Sequence, residues 1–114
     1  MMLLTKENRK ALPPIRSQEN ETDPIIKVKF FDPTGSFTWF AYEGEPVKDE
    51  NGTEIDFEFF GMVTSSMCPD GELGYFRLNE LKTCKQGMRG LRSLAIERDR
   101  WFTSKPLSKI TTTS

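Results

Sequence analysis

The sequence predicts an α+β fold: an antiparallel meander sheet of four or five strands with a short N-terminal helix and one or two short helical turns. Three observations carry this reading. Apolar and polar residues alternate in short runs, as in Ile26-Lys27-Val28-Lys29-Phe30, and a period of two belongs to a half-buried strand. The runs are separated by tight-turn residues and not by segments long enough for crossover helices, which favours antiparallel neighbours. Nine phenylalanines, two tryptophans and two tyrosines supply large rings, and pairs such as Trp39-Phe40 and Phe59-Phe60 place rings on both faces of a sheet.

The elements follow in order. Thr5 can cap a helix carried by Lys6 to Leu12 and stopped by Pro13-Pro14, since a residue preceding proline is pushed out of the helical region. Leu4, Ala11 and Ile15 fall near one face of it, with Asn8 interrupting. So short a helix is unstable alone in water and must dock. Residues 17–24 read as a polar loop. A strand over Ile26–Phe30 and another over Phe37–Tyr42 are expected to form a hairpin around the turn at residues 32–36, where Pro33 presets φ and Gly35 tolerates positive φ. Glu43 to Glu54 reads as an acidic polar loop with a tight turn at Asn51-Gly52. A third strand covers Asp56–Val63, with Phe57, Phe59 and Val63 on one side. A turn over residues 67–71 leads to a fourth strand over Leu73–Leu78. Asn79 can cap a helical turn ending at Cys84. Residues 85–90 read as loop, Ala95–Phe102 as a fifth strand or extended edge, and Lys105–Ser108 as a turn. Trp39, Phe59 and Tyr75 are the expected buried rings, and the helices and C-terminal arm are expected to pack over the second face.

With 114 residues the chain is expected to form a single domain spanning 1–114, frayed over 111–114. Its opening, Met1 to Glu7, lacks the cationic start and long apolar stretch of a signal peptide, and no run approaches the roughly 18–20 apolar residues needed to span a bilayer. A cytoplasmic location and no membrane partner are therefore expected. Cys68 and Cys84 make no disulfide framework and, lacking two further ligands, no zinc site. There is no histidine, which removes the usual general base, the usual nucleophile activator and the commonest metal ligand. No cofactor, metal or catalytic residue is expected.

Several blocks in order carry a resemblance: Leu3-Leu4-Thr5-Lys6 before Leu12-Pro13-Pro14, Lys27-Val28-Lys29-Phe30-Phe31, Trp39-Phe40-Ala41, Phe59-Phe60-Gly61-Met62-Val63, Glu72-Leu73-Gly74-Tyr75-Phe76, Asn79-Glu80-Leu81 and Ile96-Glu97-Arg98-Asp99. Together they resemble domain-of-unknown-function family 2958, small bacterial proteins often carried on conjugative plasmids and other mobile elements. The resemblance spans nearly the whole chain. The sequence departs from it by a longer acidic stretch between Ala41 and Phe57 and by a basic Arg77. It implies a setting, an accessory protein of a mobile element, and no catalytic residues.

Charge is the remaining signal. The net charge is −1, but residues 21–70 carry three bases and eleven acids while residues 71–114 carry nine bases and four acids. The acidic stretch Glu43, Glu45, Asp49, Glu50, Glu54, Asp56 and Glu58 suits a basic protein, with Glu45, Asp49, Glu50 and Glu54 as its candidate binding residues. A calcium loop starting at Asp49 fails because Glu54 stands where glycine is needed and Phe60 where a bidentate glutamate is needed. The basic set Lys82, Lys85, Arg89, Arg92, Arg98 and Arg100, near Tyr75, Phe76, Trp101 and Phe102, suits single-stranded nucleic acid, because cations beside stackable rings hold backbone and bases. Glu97 and Asp99, two apart on a strand, share one face, as acid–base or ion-pair chemistry requires. The first expectation is a non-enzymatic accessory protein that binds another macromolecule, a protein first. The alternatives are a nucleic-acid-binding module using the basic C-terminal third and a small enzyme working with carboxylates alone.

Overall fold

The computed structural model describes residues 2–33, 37–83, 85–86 and 94–110. The expected turn centred on residues 34–36, Cys84, most of the expected 85–90 loop, Arg89, Arg92 and the expected frayed end lie outside the described residues.

The elements in chain order are α1 (Lys6–Ala11), β1 (Ile25–Ile26), β2 (Val28–Phe31), β3 (Phe37–Lys48), β4 (Glu54–Ser65), β5 (Glu72–Arg77), α2 (Leu78–Thr83), β6 (Lys85–Gln86), β7 (Leu94–Ala95), β8 (Glu97–Arg98), β9 (Lys105–Pro106) and a 3₁₀ turn (Leu107–Lys109). The fold is α+β, as the alternation predicts. The main sheet has the order β5-β4-β3-β2-β8, and every pairing in it is antiparallel. Strands β2 to β5 form the expected meander. The short β8 returns to pair with β2 through Phe30↔Arg98 and Phe31↔Glu97; the fifth strand or extended edge expected over Ala95–Phe102 is thus reduced to β8 and to Ala95, which pairs with Lys85 in the separate β6–β7 ladder.

The register sorts the rings into two layers. On the first face Val28, Phe30, Trp39, Ala41, Phe57, Phe59 and Phe76 pack with Leu4, Leu12, Leu78, Leu81 and Ile96. Phe59 sits at the centre, edge-on to Phe30 at 5.3 Å and stacked on Phe76 at 5.1 Å. On the second face Ile26, Phe40 and Tyr42 pack with Phe60, Met62, Phe102, Leu107 and Ile110. The expectation that helices and arm share one face is corrected: the helices cover the first face and the C-terminal arm covers the second. The chain passes between faces at β1, where Ile26 turns to the second layer and Val28 to the first.

Helix α1 has a capping box. Asn8 N–H donates to Thr5 Oγ1 at 3.1 Å and Thr5 N–H donates to Asn8 Oδ1 at 3.0 Å, so Asn8 completes the cap. The helix docks through Leu4 and Leu12, both buried, while Ala11 is exposed. The residues flanking the helix anchor it, because its own turns are too few to bury a stripe. Helix α2 begins at Leu78, one residue before the expected cap. Its first turn is capped from across the sheet: Asn79 N–H donates to Asp56 Oδ1 at 3.0 Å, and the Asn79 amide donates to Ile55 O at 3.0 Å.

The largest departure lies in β3. The expected acidic loop over Glu43–Glu54 is mostly strand, because β3 runs on to Lys48 and β4 starts at Glu54. The turn is confined to 49–53, where Asp49 accepts the N–H groups of Asn51 and Thr53 at 2.9 and 3.0 Å and Gly52 has φ 80°. A bulge at Tyr42 shifts the register between Ala41 and Glu43. Opposite it stands Gly61, where a Cβ would lie 1.8 Å from Phe40 O. Only glycine lets the two backbones approach this closely.

Phe59 and Trp39 are buried as expected, but Tyr75 is 55% exposed, because β5 is the last strand and the cover on the second face stops at β4. Replacing Phe59 by alanine is expected to cost about 3–5 kcal/mol, and Tyr75→Ala about 1 kcal/mol. Denaturant unfolding of the two variants measures the difference; equal losses would contradict the layering.

Candidate functional site: an open sheet edge beside an aromatic cleft

A row of side chains crosses the second face from β3 to the edge: Glu43 pairs with Phe60 and Phe60 with Tyr75. The bulge puts Glu43 in this row. The residue is 3% exposed, and its carboxylate reaches the loop that follows α1. Arg16 N–H donates to Glu43 Oε1 at 2.9 Å and Gln18 N–H to Oε2 at 2.8 Å. Alongside, Ile15 N–H donates to Glu45 Oε1 at 2.9 Å. Arg16 has φ 73°, the one positive value at a non-glycine residue among the described residues. Such a conformation costs roughly 1–3 kcal/mol and persists where surrounding bonds demand it; here the buried carboxylate does.

The latched loop makes one wall of a cleft of about 330 Å³. Arg16, Glu19, Glu21 and Thr22 stand on the loop side, and Tyr42, Glu43, Phe60, Leu73 and Tyr75 on the sheet side. Burial pushes the Tyr42 phenol above its ordinary range, with the Glu43 charge and then Tyr75 adding to it, so it stays protonated at neutral pH. Pro24 and Leu107 close one end. There Leu107 N–H donates to Pro24 O at 2.8 Å, and Ser108 donates to Asp23 through both its N–H at 2.8 Å and its hydroxyl at 2.6 Å.

Beyond the cleft lies the outer edge of β5. Among the described residues no strand pairs with it. Its centre, Leu73-Gly74-Tyr75-Phe76, is uncharged, and Leu73 is 56% exposed. Edge strands are ordinarily blunted by brevity, charge, proline or a bulge. At the opposite edge β8 shows the first of these, being two residues long.

The residues singled out from sequence fall in several places. Glu45 serves the loop. Asp49 serves its own turn, and Glu50 is exposed beside it. Glu54 pairs with Arg9, whose two guanidinium nitrogens meet its two oxygens, and that hydrogen bonding holds its carboxyl below the ordinary range. Lys82 is exposed on α2. Lys85 is in β6, and its side chain, with Arg89 and Arg92, lies outside the described residues. Arg98 is half-buried and donates to Asn8 Oδ1 at 3.3 Å. Arg100 is exposed beside Trp101, which is 86% exposed. Glu97 and Asp99 do not act as a pair: Asp99 is drawn to Lys29 at 3.6 Å and accepts Trp101 N–H at 3.0 Å. Among the described residues no three histidine, cysteine, aspartate or glutamate side chains are grouped to hold a metal ion, and no helix is long and apolar enough to cross a membrane.

Sequence reasoning did not select Leu73, took Tyr75 as a buried ring or a stacking partner of the basic set, and took Glu43 only as one acid of a solvated stretch. The signal for Leu73 and Tyr75 was available: they share a side of β5, opposite Phe76, and the last strand of a meander is an edge. Nothing local marked Glu43 as inward-facing, because the bulge that turns it inward depends on Gly61, 18 positions along the chain.

Fold and site define a class: a small α+β protein in which, among the described residues, a sheet edge stands unpaired beside an aromatic, carboxylate-lined cleft. The chain belongs to the family described as protein of unknown function (DUF2958), whose model matches residues 3–113. No curated protein and no solved structure matches it.

The Ser108 bonds hold the Asp23 carboxyl below its ordinary range, the hydroxyl contributing more than the N–H. A lowered folded pKa means that this contact stabilises above the ordinary value, about 4, and is lost as pH falls through the lower folded value. Amide exchange at Ser108 is therefore expected to accelerate as pH falls below about 4 relative to its intrinsic rate, and Asp23→Asn to remove that dependence. An unchanged dependence in the variant would contradict the assignment.

Proposed function

We propose that the protein is a non-enzymatic binding module that receives an extended segment of a partner protein along the outer edge of β5. The observation that supports it is an edge strand with four uncharged central residues whose exposed Leu73 and Tyr75 stand beside the cleft. Strand addition supplies affinity through main-chain hydrogen bonds and specificity through pockets for alternate side chains. The cleft stands where one such pocket belongs. Catalysis has less support: both oxygens of Glu43 accept backbone N–H bonds, which fixes this carboxylate as an anchor and not as a proton carrier.

A second reading has its own observation. Trp101 stands exposed beside a smaller cleft of about 230 Å³ lined also by Lys29, Lys105 and Lys109. Rings among cations suit stacked single-stranded bases, so a nucleic-acid interface here would work through Trp101, Lys105 and Lys109 together with Arg100, Lys29 being paired with Asp99. Quenching of Trp101 fluorescence by oligo-dT, weakening steeply with salt, would support it; no quenching at low salt would remove it.

Selection from a random peptide library tests the first reading. Selected peptides are expected to protect the outward-facing amides of β5 from exchange. Leu73→Lys, a charge on an exposed edge residue, is expected to abolish their binding while changing stability by no more than about 0.5 kcal/mol. Protection elsewhere, or binding indifferent to Leu73→Lys, would count against it.

A further inference from the structure

The cleft beside β5 has a chemistry that narrows what it can receive. Tyr42 and Phe60 meet edge-to-face at 5.6 Å and 86°, and Phe60 and Tyr75 meet edge-to-face at 4.8 Å and 62°. These three rings in succession line the sheet wall of the cleft. Around them stand three carboxylates, Glu19, Glu21 and Glu43, against the single base Arg16. The face of a ring is the negative pole of the aromatic quadrupole, so a ring face met by a ligand acts with the same sign as the carboxylates. An anion is repelled by both, and a neutral side chain gains only contact area.

We infer that the cleft takes the cationic end of a lysine or arginine side chain from the partner segment. The inference rests on the strand-addition reading for the delivery of that side chain. A strand added to β5 lies about 4.8 Å away, and its residue opposite Tyr75 has its Cβ roughly 5 Å from that of Tyr75. The apolar stem of a lysine or arginine spans that distance along the tyrosine ring and sets its charge among the rings. Its neighbour two positions along faces Leu73. The partner segment therefore carries a basic residue and an apolar residue two apart, the first opposite Tyr75 and the second opposite Leu73.

The test uses the whole protein and three probes: the Nα-acetyl amides of lysine, arginine and norleucine. Each is titrated while the ring protons of Tyr42, Phe60 and Tyr75 are followed by NMR. The two cationic amides are expected to shift these signals and to bind about tenfold or more tightly than the norleucine amide. Tyr75→Ala is expected to erase that preference. Glu43→Gln is expected to do the same, and since it also loosens the loop, the exposed pair Glu19→Gln with Glu21→Gln supplies a variant that folds and should lower the preference severalfold. Equal binding of norleucine, or shifts mapping outside the cleft, overturns the inference. Spermidine binding more tightly than either cationic amide also overturns it, by assigning the cleft to a free polyamine. None of these probes pairs with β5. Library peptides that protect β5 without enrichment of a basic residue overturn the cation inference and leave the edge reading standing, whereas ring shifts with cationic amides and no β5-protecting peptide do the reverse.

Discussion

Burying one carboxylate organises the face of the sheet that carries the cleft. A buried charge is tolerated only when its hydrogen-bonding capacity is met, and Glu43 meets it with the backbone N–H groups of Arg16 and Gln18. That requirement fixes the loop after α1 against β3 and holds Arg16 in a left-handed conformation. It also depends on the bulge at Tyr42, because without the extra residue Glu43 would point into the first-face core beside Phe57. The bulge in turn depends on Gly61, whose missing side chain leaves room for the β3 backbone. Glycine, bulge, carboxylate and loop form one chain of dependence.

What covers the sheet and what does not follows from the same arrangement. The helices close the first face through Leu4, Leu12, Leu78 and Leu81. On the second face the loop is held at β3 and the C-terminal arm lies over Phe40 and Met62, so cover ends one strand short of the edge. Leu73 and Tyr75 are left in solvent by geometry and not by polarity. Large apolar side chains at an open edge are a liability unless something occupies them, and this is why the edge is read as a binding surface.

Much of the fold was legible in the sequence because it is written in short-range terms. The alternation over 26–30, the turn at Asn51-Gly52, the start of α1 at Thr5 and its end before Pro13-Pro14 are each local. What was not legible depends on distant partners. The strand over Glu43–Lys48 reads as a loop because its acids look solvated, yet Glu43 and Glu45 bond the 15–18 backbone from across the fold. The cap of α2 comes from Asp56, 23 positions before Asn79. The same holds for charge. The acidic middle of the chain and its basic flanks look segregated along the sequence, but Glu54 pairs with Arg9, Glu58 with Arg77 and Asp99 with Lys29, so folding interleaves the two signs.

The claim on which the functional reading stands is that the outer edge of β5 is open in the isolated protein. Residue-resolved amide hydrogen exchange across Glu72–Arg77 tests it most directly. The structure predicts alternation: amides that face β4 are protected, and those that face outward exchange at rates close to those of an unstructured peptide. Uniform protection along the strand in the monomeric protein would show that the edge is already covered, and would contradict the account.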